Sequence, residues 1–485
     1  MHLALPTALI VLVASAGLSP AALTAQRAST FQPEVREYIA VDAPVIALVH
    51  VRIIDGTGAA PQSDQTVLIA GNRIQGVGAA GTVQVPAGAQ VIDLTGHTVI
   101  PGLVGVHDHM FYTTPGSTGV QSSYAHPRLY LASGVTTVRT TGSFSPYAEL
   151  NLKGGIDRGE VPGPRMHITA PYLITPGGDP HLDQLGMHKI ATEEEARRVV
   201  RYWAEEGAEW IKGYTQLSRP IFAAVIDEAH KRGLKVTGHL CSISFSEAVR
   251  LGIDNIEHGY RTNSDYDVNK QPDRCPPTHF ETLAKMSMSD PRIQETFRLM
   301  ISHGVAMTTT AVNEQLAPGR PGPDQRTLEA MAPWIAEQEV ARRAALDAAK
   351  PGSEIYPKMG EIYPLSQQYE MAFVKAGGTL AAGVDPAFAA LAGFGDQRNL
   401  ELLVQAGFTV PQAIQIMTAN GANVLGVIAQ LGTVEAGKLA DLVVIRGDLM
   451  ADPSAIRQTV TVFKDGIGYD SAKLIASVKG QVGVR

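Results

Sequence analysis

A chain of 485 residues with 45% hydrophobic, 18% charged and 6% aromatic residues can bury a large core, and its ordinary composition excludes wholesale disorder and collagen-like repeats. Forty Lys and Arg stand against 47 Asp and Glu, a formal charge of -7, which argues against a nucleic-acid partner, since such proteins carry a basic surplus to meet phosphates. At roughly 150 residues per domain the length suggests two or three units, although an α/β barrel takes about 250 alone.

The N-terminus reads as an export signal. Leu3–Leu18 is almost wholly apolar, broken by Pro6 and Gly17, and falls short of the ~20 residues of a spanning helix. Ala21–Ala25 then offers small residues to a peptidase, so residues 1–25 are expected to be removed after Ala25 and the mature protein to be periplasmic or secreted. No Lys or Arg precedes the apolar stretch, a departure from the usual pattern. No later segment could cross a bilayer, so no stable membrane span is expected after processing.

Residues 26–44 form a polar lead-in. From Val45 to Ile100 short strands alternate with tight turns: Ala47–Ile54, the turn Asp55–Gly58, Thr66–Ala70, the turn Gly71–Arg73, and Val91–Leu94. Strands return at Lys438–Arg446 and Thr459–Lys464, the second followed by Asp465-Gly466. Each terminal piece is too small to fold well separately, so residues 45–100 and 427–475 are expected to form one composite β-sandwich. Between them, over 101–426, apolar runs alternate with helical periodicity. The runs are Leu103–Val106, Val135–Val138, Met166–Thr169, Trp210–Ile211, Leu234–Val236, Asn255–Glu257, Val305–Thr308 and Thr379–Val384. Thr192–Glu206 and Pro220–Arg232 read as helices, with Gly207 and Gly233 where C-caps belong. Eight such runs predict an α/β fold, a closed (β/α)8 TIM barrel. The long connection Ala311–Ala376 should carry extra helices, for instance Leu328–Ala349, over the barrel mouth. The only cysteines are Cys241 and Cys275, which rules out a disulfide scaffold and leaves one bridge open.

His107 and His109, one residue apart after the first run, would present both imidazoles to one side of an extended strand. At the carboxyl end of a barrel strand that side is the mouth, where active sites form. An H-x-H pair alone is common by chance. Lys212 ends the fourth run, His239 the fifth, His258 the sixth and Asp385 the eighth, so all six would stand on one rim.

With these residues in place, the chain resembles the metal-dependent amidohydrolase superfamily, and within it the imidazolonepropionase-like group that includes prolidases and N-acyl amino acid hydrolases. The resemblance rests on P-G-L-x-x-x-H-x-H at 101–109, the lysine, the later histidines, the aspartate, Asn420–Gly426 and Glu435–Val444, in that order. It implies hydrolysis of an amide or peptide C–N bond in a small molecule, with cyclic amide opening, deamination, and lactone or phosphotriester hydrolysis as other uses of the same metals. A binding protein that merely holds metal is the reading from a different class.

By the same resemblance His107, His109 and Asp385 hold one divalent ion, His239 and His258 a second, and Lys212 bridges them. An ammonium group has no lone pair, so Lys212 is expected as N6-carboxylysine. Histidine ligands favour Zn2+, with manganese or cobalt as further options. A hydroxide bridging the two ions would attack the carbonyl, Asp385 would move the proton and Tyr214 would donate to the developing oxyanion. The family's aspartate two places before the first histidine is Gly105 here, and Asp108, facing away on an alternating strand, is not expected to replace it. His181 in the loop after the third strand is a candidate substrate contact; His126, His188 and His303 read as solvated loop residues, and Cys241 as a buried packing thiol. The expected partner is the small amide or peptide substrate, and whether the chain forms a homo-oligomer is open.

Overall fold

The structure, a computed structural model, describes residues 28–116, 119–177, 186–350 and 358–484. The stretch read as an export signal and His181 lie outside these residues.

Eight parallel strands line up among the described residues: Leu103–Gly105, Val135–Arg139, Arg165–His167, Trp210–Gly213, Lys235–Gly238, Asn255–Glu257, Ala306–Thr310 and Leu380–Gly383. The third joins the fourth through a parallel bridge between Thr169 and Trp210. The eighth returns to the first where Val106 N donates to Ala382 O and Asp385 N to His107 O, both at 2.9 Å. These bonds close the (β/α)8 barrel, and each expected run falls on one of its strands.

The covering helices follow the sequence's own signals. In Glu193–Glu205 the buried positions are Ala196, Val199, Val200 and Trp203, a single stripe at helical spacing. Thr192 caps it by accepting from Glu195 N, three glutamates favour the positive end of its dipole, and Gly207 leaves it at φ 97°. The long connection carries Val312–Gln315, Gln325–Ala330, Pro333–Ala348 and Met359–Lys375. The single helix expected over Leu328–Ala349 is therefore broken. Pro333 has no N–H and drives Ala332 to ψ 142°, so the chain restarts there as a new helix.

Both chain ends contribute to one nine-stranded sheet, ordered Ile39–Val41, Ile467–Asp470, Thr459–Lys464, Leu442–Arg446, His97–Pro101, Val45–Ile53, Gln62–Ala70 and Arg73–Ala79, with Gln90–Asp93 beside Val45–Ile53. Its core packs Ile46, Leu48, Val67, Val99, Val444 and Phe463. Four strands of this sheet were not among those read from the sequence: Ile39–Val41, Arg73–Ala79, His97–Pro101 and Ile467–Asp470. Ile39–Val41, in the stretch read as a lead-in, pairs with Ile467–Asp470, which follows the left-handed pair Asp465 (φ 51°) and Gly466 (φ 79°) as the return arm of a hairpin. The strand expected from Lys438 begins only at Leu442. Before it, Asp441 turns aside to take Arg165 at 2.9 Å and Asp465 N at 2.8 Å.

Cys241, read as a packing thiol, is joined to Cys275 by a disulfide with Cα atoms 4.9 Å apart. It ties the loop after the fifth strand to the loop after the sixth. Reduction, or Cys275→Ser, is expected to lower stability by about 2–4 kcal/mol, because the bridge constrains the unfolded chain. A denaturant titration with and without reductant checks this, and an unchanged midpoint would contradict it.

Candidate metal centre

The first strand ends at Gly105 and the chain bends at Val106 and His107. His107 Nδ1 lies 2.7 Å from Glu257 Oε2 and His109 Nδ1 lies 2.7 Å from Thr140 O. A carbonyl or carboxylate only accepts, so these contacts assign each ring's proton to Nδ1 and leave Nε2 with a lone pair. Those lone pairs converge on Asp385, whose Oδ1 is 3.3 Å from His109 Nε2 and 3.7 Å from His107 Nε2. The ligand atoms of the three residues lie within 4.8 Å of one another. Two neutral imidazole nitrogens and a carboxylate around one point are a fitting donor set for a divalent ion.

The other candidates reach the same place. Lys212 Nζ is 3.3 Å from His107 Nε2 and His258 Nδ1 is 3.8 Å from Asp385 Oδ2. The rings of His239 and His258 are 4.4 Å apart, and Tyr214 stands 4.6 Å from His239. All six rim residues and Tyr214 line one cavity of about 460 Å3.

Burial sets their protonation. It pushes His107 down to about 4, helped by the nearby Lys212 charge, and lowers His109, His239 and His258 as well, so the imidazoles are neutral and can ligate. Burial also pushes Lys212 down to about 8, which raises the share of reactive free amine near neutral pH. Burial alone would raise Asp385, but His107, His109 and Lys212 outweigh it and hold the carboxyl below its usual range.

Several residues that build the centre were not read from the sequence. Glu257 is fully buried, accepts from His107, and pairs with the equally buried Arg139 at 2.5 Å; Asn255 donates to it at 2.9 Å and Thr237 also bonds to it. Neighbours on a strand normally face opposite ways. His258 has φ 64°, and this left-handed step lets Glu257 and His258 both take part in the interior. Glu257→Gln is expected to destabilise the fold by about 3–5 kcal/mol, since it strands the Arg139 charge inside the barrel. Thermal melts of the two proteins check this, and equal midpoints would refute it.

His126, read as a solvated loop residue, is fully buried on the helix Ala125–Ala132, and its Nδ1 donates to His109 O at 3.0 Å. His303 is exposed at a helix end, as expected, and His188 lies on a two-residue strand. The reading of Asp108 is also corrected. Its carboxylate fills the space above Gly105, because the bend at Val106 and His107 ends the strand alternation.

Phe111, Phe144, Met187, Phe280, Leu316 and Phe388 make much of the cavity wall apolar, while Arg261, only 8% exposed, brings a cationic group to it. The long connection braces this wall. Arg342 donates to Glu339 at 2.8 Å and to Phe388 O at 2.7 Å, and Tyr112 donates to Glu339 while accepting from Ala389 N at 2.8 Å.

The comparisons can be set beside this geometry. The family model described as "Amidohydrolase family" matches residues 98–320 and 379–468, which leaves most of the braced connection outside it. An imidazolonepropionase of Maricaulis maris (strain MCS10) is 42% identical over 71 residues, 13% of this chain and 18% of that protein, so the match spans under a fifth of the relative. A solved Xaa-Pro dipeptidase with methionine bound in its active site superposes with a TM-score of 0.65 at 22% identity, covering 88% of this chain and 100% of that one. A putative prolidase from Bifidobacterium longum gives 0.63 at 24% identity, over 90% and 98% of the two chains. At these identities the two structures show a shared fold. The family match spans most of the chain and takes in every rim residue, and the chain therefore belongs to the amidohydrolase family, metal-dependent hydrolases acting on carbon–nitrogen bonds.

Proposed function

We propose that the protein is an exported, binuclear hydrolase that cleaves the amide or peptide bond of an N-acyl amino acid or a dipeptide. The observation that carries this reading is the convergence of Lys212, His239 and His258 on the His107, His109 and Asp385 cluster, in a cavity with apolar walls and a buried guanidinium. His107, His109 and Asp385 would hold one ion, His239 and His258 the other, and Lys212, carboxylated, would join them. Divalent ions so held, zinc first, lower the pKa of water toward ~7 and polarise a carbonyl.

The chain's own groups do the rest. Asp385 stands beside His109 and His258, where it can take a proton and return it to the leaving nitrogen. Tyr214, on the wall beside His239, can donate to the carbonyl oxygen as charge builds there. Arg261 offers a charge partner to a substrate carboxylate, and the apolar wall suits an acyl or side-chain group. The disulfide agrees with an oxidising compartment, which supports export. The dipeptidase-like solved structures support the substrate class.

The test is a panel of dipeptides, N-acyl amino acids, their carboxamide-capped forms, lactones and phosphotriesters, assayed with the zinc-loaded protein. The carboxylate-bearing amides should be turned over fastest. Preferred turnover of lactones or phosphotriesters, or of capped over free carboxylates, would overturn the assignment.

A further inference from the structure

Beyond the ligands, one carboxylate sits where it can govern their geometry. Asp108 is fully buried between the two histidines, and its Oδ1 accepts from Val384 N at 3.0 Å. Val384 immediately precedes Asp385, whose own N donates to His107 O at 2.9 Å, while Asp108 N donates to Arg139 O at 3.0 Å. The Asp108 side chain therefore links the end of the eighth strand to the segment carrying both histidines. Asp385 itself has φ 53°, so the backbone leaves the strand direction at this residue and needs outside support to do so.

Position 105 shows how the space is made. A Cβ built on Gly105 would fall 1.7 Å from Asp108 Oδ2 and 2.4 Å from its Cγ, and its three nearest neighbours are all atoms of that carboxylate. Gly105 is not in the left-handed region, so backbone conformation does not require glycine there. What requires it is the arriving carboxylate. A side chain at 105 and the carboxylate of 108 exclude each other.

We infer that Asp108 is a positioning residue that fixes Asp385 against His107 and His109 through Val384 N, and that Gly105 is the vacancy this arrangement needs. The inference rests on Asp385 being a metal ligand, as proposed above. Groups that orient metal ligands affect metal affinity or activity by about 10–100-fold when removed.

The experiment uses the full chain in four variants, Asp108→Ala, Asp108→Asn, Gly105→Asp and the double Gly105→Asp/Asp108→Ala. Zinc affinity is measured by chelator competition, the metal-free Tm by calorimetry, and kcat and KM on whichever amide is turned over. Asp108→Ala should weaken zinc binding about 10–100-fold and lower kcat with KM within about twofold. Asp108→Asn keeps an oxygen for Val384 N and should stay within about fivefold of the parent. Gly105→Asp alone should lower the metal-free Tm through the clash, and the double variant should recover both Tm and zinc affinity, a non-additive cycle. The inference fails if Asp108→Ala binds zinc within about twofold of the parent, if Asn is no better than Ala, or if the double variant is no better than the worse single one. Zinc affinity decides the matter without a substrate, so a wrong substrate class leaves this result standing.

Discussion

Asp385→Asn is expected to lower kcat by about 10³-fold, within the 10²–10⁴ range typical of a lost general acid–base. The substitution isolates charge from shape. Asparagine is among the few residues that accept a left-handed backbone, so φ 53° at this position remains available to it. What disappears is the anion beside His109 Nε2 and His258 Nδ1, and with it, on the proposed mechanism, both a metal ligand and the proton carrier. Steady-state kinetics with a turned-over amide, alongside a thermal melt, would measure the effect. An Asn variant that keeps a tenth of the parent rate would remove Asp385 from the chemistry. If the protein were instead a binder that holds metal structurally, ligand affinity would survive the change and no turnover would be there to lose.

Lys212→Met should have a comparable effect by another route. Methionine fills a similar buried volume but cannot form a carbamate. The parent protein is expected to hold about two divalent ions per chain and to reconstitute faster with bicarbonate. The variant should hold one, lose at least about 10²-fold in kcat, and show no response to bicarbonate. Metal analysis of the two proteins is the decisive measurement. Two ions retained by the Lys212→Met variant would show that the bridge is not needed, and a parent holding one ion regardless of bicarbonate would dismiss the carbamate.

The rim was legible because each candidate sits at the end of a run of apolar residues, and a barrel aligns all such ends. His107, His109, Lys212, His239, His258 and Asp385 could be placed from that rule alone. Glu257 and Arg139 were not legible. Both are charged letters within strand text, and only the closed barrel shows that they meet in its interior, under His107. Arg261 was hidden for a similar reason: nothing near it in sequence shows that the chain after the sixth strand lines the cavity. Asp108 was misjudged because alternation was carried past Gly105, where the strand had already ended. The break at Pro333 was readable from the proline itself, whereas Ile39–Val41 was not, since its partner Ile467–Asp470 lies at the far end of the chain.

That last pairing bears on how the protein is made. His97–Pro101 has Leu442–Arg446 as its neighbour, and Ile39–Val41 waits for Ile467–Asp470. During synthesis Val45–Ile53, Gln62–Ala70, Arg73–Ala79 and Gln90–Asp93 can pair with one another as they emerge, whereas Ile39–Val41 and the outer edge of His97–Pro101 stay without their partners until the barrel has been made. Closing so distant a pairing is slow, because the entropy of joining the ends is lost before the contacts form. Completion of the sheet therefore has to wait for residues 442–470, and until they arrive the edge at His97–Pro101 stays open.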